Sequence, residues 1–331
     1  MLALIAGALI LTLAIPFAPW RTGRLDLEPL APMPLLEAPR PAQRLWIDTD
    51  AACGHGPRTD PDDCLAILAL VQAAGKRIVG VSTVSGNAPL EVTDRTAREL
   101  VGQLGAIPVH SGPEALRSAL DAGRLTIVAL GPLTNIALAL QERPELAAKV
   151  ERLVAVMGRR PGHLFHPAEG APGAMLLGHG PLFSDFNFEQ DPDAAARVLA
   201  TGVPFALIPY DAARHVELTA ADLDRLSARG GAAAWVAERS RAWLQFWQED
   251  IGRAGFYPFD LLAAAYVLFP GRFECARVAA GVGKDPRFRI PWRDYALLVT
   301  QRVDELDIPT RPAIYCPKLR PGETLAGILL P

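Results

Sequence analysis

The chain has 331 residues, 50% of them hydrophobic, and a formal net charge of −3. That size and apolarity allow a substantial buried core, in one large domain or two modest ones. The near-neutral charge excludes the broad basic field of a nucleic-acid binder. Four lysines accompany 29 arginines in an Ala-, Pro- and Gly-rich background, which reads as compositional bias rather than as an arginine-based binding surface.

In chain order, Leu2 to Pro19 is an uncharged, mostly apolar run, at the lower edge for a membrane span and the upper edge for a signal-peptide core. Arg21 and Arg24 follow it, no basic residue precedes it, and no A-x-A cleavage site is evident. Residues 1–24 therefore read as an apolar signal or anchor segment with a basic flank, and the protein as membrane-associated or exported, with the side of the membrane left open. Residues 25–43 hold five prolines (Pro29, Pro32, Pro34, Pro39, Pro41) and read as an extended linker. The body, 44–331, reads as one domain.

Within the body, strand-like and helix-like segments alternate. Leu45–Asp48 predicts a strand, Asp62–Ala74 a helix, Arg77–Val84 a strand and Leu90–Leu104 a helix. Leu125–Leu130 is strand-like, Leu133–Gln141 helical, and Leu153–Met157 a third apolar run. Pro192–Ala200 follows as a helix and Pro204–Ile208 as a strand. Ala220 to Phe269 reads as mostly helical, and strand-like runs return at Phe273–Gly281 and Tyr295–Gln301. The alternation predicts an α/β fold with a mostly parallel central sheet flanked by helices.

The four cysteines, Cys53, Cys64, Cys275 and Cys316, have neither CxxC nor zinc spacing. They read as small buried apolar residues. A disulfide fits an exported domain, and the sequence does not choose a pairing.

Three polar motifs directly follow predicted strands: Asp48-Thr49-Asp50, Ser85-Gly86-Asn87 and Gly131-Pro132-Leu133-Thr134-Asn135. In open α/β sheets the carboxyl ends of the strands share one edge, where ligands bind, so these motifs are expected to converge. Asp62 and Asp63 open a predicted helix. Capping accounts for carboxylates there, because they accept free N–H groups and offset the helix dipole. Capping does not account for Asp48 and Asp50 on the preceding strand. Four carboxylates so placed repel one another unless they are protonated or bind a cation. An oxygen-only set selects Ca²⁺ or Mg²⁺, and Ca²⁺ better tolerates irregular, bidentate geometry.

These residues resemble the inosine–uridine-preferring nucleoside hydrolases. The likeness runs through Asp48-Thr49-Asp50, Asp62-Asp63, Ser82 to Asn87 and Ala129 to Ala137. It continues through Asp185-Phe186-Asn187, Asp191 to Ala195 and Phe259 to Ala263. The resemblance implies a single Rossmann-like α/β domain that uses Ca²⁺ to hydrolyse the N-glycosidic bond of a ribonucleoside, giving ribose and free base. It implies metal contacts from Asp50, Asp63, Asp260 and the Leu130 carbonyl, supported by Asp48. Asp62, Asn87, His179, Asp185 and Asn187 would bind the sugar, and Asp50 would be the base that activates a metal-held water. A small-molecule ribonucleoside is the implied partner, nucleic acid is not, and a homo-oligomer is compatible with the sequence.

Three departures from the family pattern stand out. Residues 51–61 separate Asp50 from Asp62 where the family motif is compact. Phe259 stands where members often carry a His that helps the base depart, which leaves His55, His179 and Tyr257 as candidate acids. Ser111 to Arg124 is short where a lid with His-Gly is usual, so the pocket is more open or is closed by Trp243, Phe246, Trp247 and Phe256. Core packing is the first reading of those aromatics, and stacking on a base the second. Two further readings of the whole chain stay open: a ribonucleoside-binding protein that has lost catalysis, and a phosphatase of the haloacid dehalogenase type. The latter needs a placed lysine, and only Lys76 and Lys149 lie between the early motifs.

Overall fold

The computed structural model describes residues 29–34, 43–163, 185–287 and 295–325. The predicted membrane or signal segment and His179 lie outside them. Among the described residues, no helix is long and apolar enough to cross a membrane.

A nine-stranded sheet organises the body. Its strands are β1 (Leu45–Thr49), β2 (Ile78–Thr83), β3 (Val109–Ser111), β4 (Leu125–Ala129), β5 (Val150–Ala155), β6 (Phe205–Leu207), β9 (Phe273–Lys284), β10 (Tyr295–Thr300) and β11 (Arg311–Leu319). The order is β10-β9-β11-β6-β5-β4-β1-β2-β3. From β3 across to β11 all neighbours are parallel, and β9 and β10 complete the sheet antiparallel. A small ribbon of β7 (Leu218–Thr219) and β8 (Gly255–Phe256) lies apart. β1 and β4 are buried along their whole length. Helices cover both faces of such strands, which is why they read as unbroken apolar runs.

The helices are α1 (Asp62–Ala74), α2 (Leu90–Leu104), α3 (Glu114–Asp121), α4 (Thr134–Glu142), α5 (Phe186–Gln190), α6 (Pro192–Ala200), α7 (Tyr210–Ala213), α8 (Ala220–Ser227), α9 (Gly231–Phe246) and α10 (Phe259–Leu268). α1 and α10 pack together and are buried on nearly all sides, with uninterrupted runs from Asp62 to Val71 and from Asp260 to Val267. They form the inner helical layer of one core, and the strands' other faces close a second core with α4 and α6.

The chain order reverses between β1 and β4. Strand ends diverge at such a switch point and open a crevice there. β1 ends in Asp48 and Thr49 and leads into Asp50, and β4 leads into Leu130 and Gly131.

Two sequence expectations are corrected. Part of the predicted linker already belongs to the body: the Met33 N–H donates to the Cys275 carbonyl at 2.8 Å, and the Ala31 N–H to Gln301 Oε1 at 2.8 Å. The cysteines are buried as expected, but all four are bonded, as Cys53–Cys64 and Cys275–Cys316. The second bond joins the antiparallel neighbours β9 and β11, and no sequence spacing announces that adjacency.

Candidate active site

The site is assembled from three strand ends and two helix starts. Asp48, at the end of β1, is fully buried. Its Oδ1 accepts the Asn135 Nδ2 amide at 2.9 Å and the Ser82 hydroxyl, which in turn accepts the Trp46 indole N–H at 2.7 Å. Asn135 also donates to the Thr83 carbonyl at 3.0 Å, tying the first turn of α4 to β2. The three strand-end motifs therefore do converge, and Asp48 anchors them.

Asp50 is also fully buried. Its Oδ2 accepts the Asn87 backbone N–H at 2.7 Å, and its Oδ1 has no hydrogen-bond partner among the described residues. Gly86 and Gly131 flank it so closely that an added Cβ would stand 2.0 Å from Oδ2 and 2.8 Å from Oδ1, respectively. Only glycine leaves room for the carboxylate at both places.

The insertion does not pull the next aspartates away. Cys53–Cys64 ties the chain three residues past Asp50 to the residue after Asp63, with Cα atoms 6.3 Å apart. Gly54, at φ +78°, lies against Arg239 of α9, where a Cβ would come within 2.6 Å of Cγ. Asp63 thus returns beside β1: it accepts the Thr49 hydroxyl, and Asn87 Nδ2 donates to its Oδ2 at 3.0 Å. Asn87 bridges Asp50 and Asp63, one through its backbone and the other through its side chain.

The first turn of α10 supplies Asp260. Its N–H donates to Asp62 Oδ2 at 3.0 Å, while Asp62 Oδ1 accepts the Asp63 N–H at 3.1 Å. Carboxylate oxygens of Asp62, Asp63 and Asp260 lie within 4.8 Å of one another. This group contains Asp62, expected as a sugar contact, where the sequence reading had Asp50. The reason is local: Asp62 caps the neighbouring backbone N–H groups of both helix starts and is held between them. Asp50 sits behind, joined to the group through Asn87.

Burial is the largest influence on every one of these acids and lifts each above the ordinary carboxylate range. Asp48 and Asp62 are pushed up to about 7, and Asp50 and Asp260 rise well above the usual value. Asp63 also rises, and its negative charge pushes Asp50 further up. Buried like charges favour protonation or a cation. The donor set is oxygen only, and Asp50 Oδ1 is a buried carboxylate oxygen without a hydrogen-bond partner among the described residues. Both suit a hard divalent ion.

A cavity of about 390 Å³ opens over this group, within the size range of small-molecule sites. Asp62, Asn87, Leu130, Asp185, Asn187 and Asp260 line it. The Leu130 carbonyl accepts Asn187 Nδ2 at 2.7 Å, which uses one of its two lone pairs. Asp185 accepts the Gly158 N–H at 2.7 Å and is pushed up to about 7 by burial. The wall includes Tyr210, Trp243 and Phe259, and the insertion adds Arg58, Thr59 and Asp60.

Sequence reasoning missed several contributors. Thr49, Ser82 and Asn135 orient the acids, and all three sit inside or beside the motifs that drew attention. Asp60 lies in the insertion with no pattern to mark it. The named leaving-group candidates fare differently: His55 is exposed and Tyr257 is buried against Trp247, ring centroids 4.7 Å apart, and neither lines the cavity. Trp247 and Phe256 are core residues, as the packing reading had it, while Trp243 reaches the cavity. No lysine lines it among the described residues, so the phosphatase reading has no support.

The family model described as inosine-uridine preferring nucleoside hydrolase matches residues 113–290, more than half of the chain. The chain belongs to that family. The matched stretch begins after the aspartate-rich segment and its insertion. An uncharacterized protein of Schizosaccharomyces pombe is 28% identical over 215 residues, covering 51% of this chain and 65% of that one. The pyrimidine-specific ribonucleoside hydrolase RihA of Salmonella typhimurium is 32% identical over 160 residues, covering 48% of this chain and 47% of its own. The chain thus spans about half to two thirds of the length of these relatives. Among solved structures, a plant nucleoside hydrolase superposes with a TM-score of 0.69 at 20% identity, covering 87% of this chain and 98% of that one. A purine-preferring ribonucleoside hydrolase from Gardnerella vaginalis gives 0.67 at 18%, covering 87% and 97%. These two share the fold.

Proposed function

We propose that this protein hydrolyses the N-glycosidic bond of a ribonucleoside or related N-riboside with the help of Ca²⁺, releasing ribose and the free base. The observation that carries the reading is the meeting of Asp62, Asp63 and Asp260, from two strand–helix units nearly 200 residues apart, beneath a cavity that Asp62 and Asp260 line, with Asp50 behind them. Family membership supports the reaction class.

Asp50, Asp63, Asp260 and the Leu130 carbonyl would hold the ion, with Asp48 behind them. A bound Ca²⁺ supplies the positive charge that fixes a sugar diol and a water at the cavity floor. The chain's own residues do the remaining work. Asp62, Asn87, Asp185 and Asn187 hold the ribose hydroxyls and fix C1′ near the attacking water. Asp50 takes the proton of that water as its oxygen closes on C1′. The breaking bond leaves its electron pair on the base nitrogen, and the sugar passes through an oxocarbenium-like state that the surrounding carboxylates favour. The two disulfides support an oxidising, exported location.

Ribose release from a panel of purine and pyrimidine nucleosides tests this reading. Turnover in Ca²⁺ that stops in EGTA and returns with added Ca²⁺ is expected. Calcium-dependent nucleoside binding without any turnover would establish the binding-protein reading instead.

A further inference from the structure

Resting on the hydrolase reading, we infer that Arg58, carried by the insertion, stabilises the departing base as its negative charge develops. Three observations converge on it. Phe259 lines the cavity, and its ring offers no proton to a departing base. Among the described residues the cavity wall contains no histidine and no lysine, and Arg58 is its one cationic side chain. The guanidinium is also oriented: Nη2 lies 3.2 Å from Asp250 Oδ2, and Cζ stands 5.1 Å from the centre of the Phe246 ring, which packs on the cavity-lining Trp243 at 5.0 Å. An ion pair this exposed adds little to stability, so its consequence is placement. The disulfide Cys53–Cys64 closes the base of the same loop and limits where its tip can travel.

The chemistry distinguishes this from acid catalysis. A guanidinium keeps its proton at any pH an enzyme meets, so Arg58 donates hydrogen bonds to the base without protonating it. The C1′–N bond breaks with both electrons moving to the base nitrogen, the base leaves as an anion paired with Arg58, and it takes its proton afterwards from solvent. Water supplies the oxygen gained by C1′, and its proton passes to Asp50, which releases it to solvent, so the products are ribose and neutral base and the enzyme is restored. Such help matters for a poor leaving group and hardly at all for a good one.

The test compares wild type and Arg58→Gln on uridine, inosine and p-nitrophenyl β-D-riboside, whose phenolate departs unaided. Loss of one charge-stabilising donor is expected to lower kcat on the nucleosides by about 30-fold or more and on the p-nitrophenyl riboside by less than about threefold. Arg58→Lys should recover part of the difference, and Asp250→Asn should reproduce part of the loss. The wild-type to Arg58→Gln ratio should stay flat between about pH 6 and about pH 9, because no proton is exchanged at this group. Equal losses on both kinds of substrate, no loss on either, or a ratio that follows a titration overturns the assignment. A wild type that releases ribose from none of the three compounds overturns the hydrolase reading itself, and this assignment with it.

Discussion

Asp50→Asn is expected to lower nucleoside turnover by about a thousandfold or more while leaving the protein folded and, in the absence of calcium, more stable than wild type. The amide is nearly isosteric with the carboxylate and fits the same close space between Gly86 and Gly131. Its oxygen can still accept the Asn87 N–H that Asp50 Oδ2 accepts now. What is lost is the basic oxygen, and removal of a positioned general base typically costs about two to four orders of magnitude. What is gained is relief of repulsion, because the Asp63 and Asp62 charges push the Asp50 carboxyl up beyond the effect of burial. Steady-state kinetics and thermal unfolding in EGTA check both halves. Retention of more than about a tenth of wild-type turnover would remove Asp50 from the base role.

The second large effect is the pH dependence of the calcium-free protein. Asp48 and Asp62 ionise near about 7 in the folded chain against an ordinary value of 3.8, and Asp50, Asp63 and Asp260 are shifted the same way. Above 3.8 the unfolded chain has released these protons and the folded chain still holds them. Stability therefore falls as pH rises, since the native state binds more protons. The contribution is complete below about pH 4 and is lost as pH passes through about 7. On the proposed reading, bound calcium would take the place of those protons. Its stabilisation should be small near pH 5 and large near pH 8, where a concentration a hundredfold above Kd is worth about 2.7 kcal/mol, or about 5 °C or more in Tm. Scanning calorimetry at both pH values, with calcium and with EGTA, reads this directly. A calcium effect equal at the two pH values would contradict the coupling.

The sequence carried the sheet's central part and the acids because both leave strong local marks. Asp62–Ala74, Leu90–Leu104 and Pro192–Ala200 are helices with the bounds expected, each with a proline at or just before its first residue and an acidic residue in its first turn. β11 was missed because Pro312 and Pro317 argue against a strand. The structure places Pro312 near the strand's start and Pro317 at the irregularity between Tyr315 and Lys318. β3 is three residues long, too short to show a period. At the site, the aspartates were legible as charges that must be compensated. The capping of both helix starts by Asp62, the docking of the insertion tip on α9 and the Cys53–Cys64 bond were not. Each depends on which segments meet in space, and a separation along the chain does not encode that.

The central claim is that Asp50, Asp63 and Asp260 surround one divalent ion under a ribose-sized cavity. A crystal grown with CaCl₂ and ribose, with anomalous data, tests it most directly. The account predicts one peak at about 2.3–2.6 Å from oxygens of those three carboxylates and of Leu130, with the sugar diol against it. Density that is blank there at saturating calcium, or a peak held only by surface carboxylates elsewhere, would contradict it.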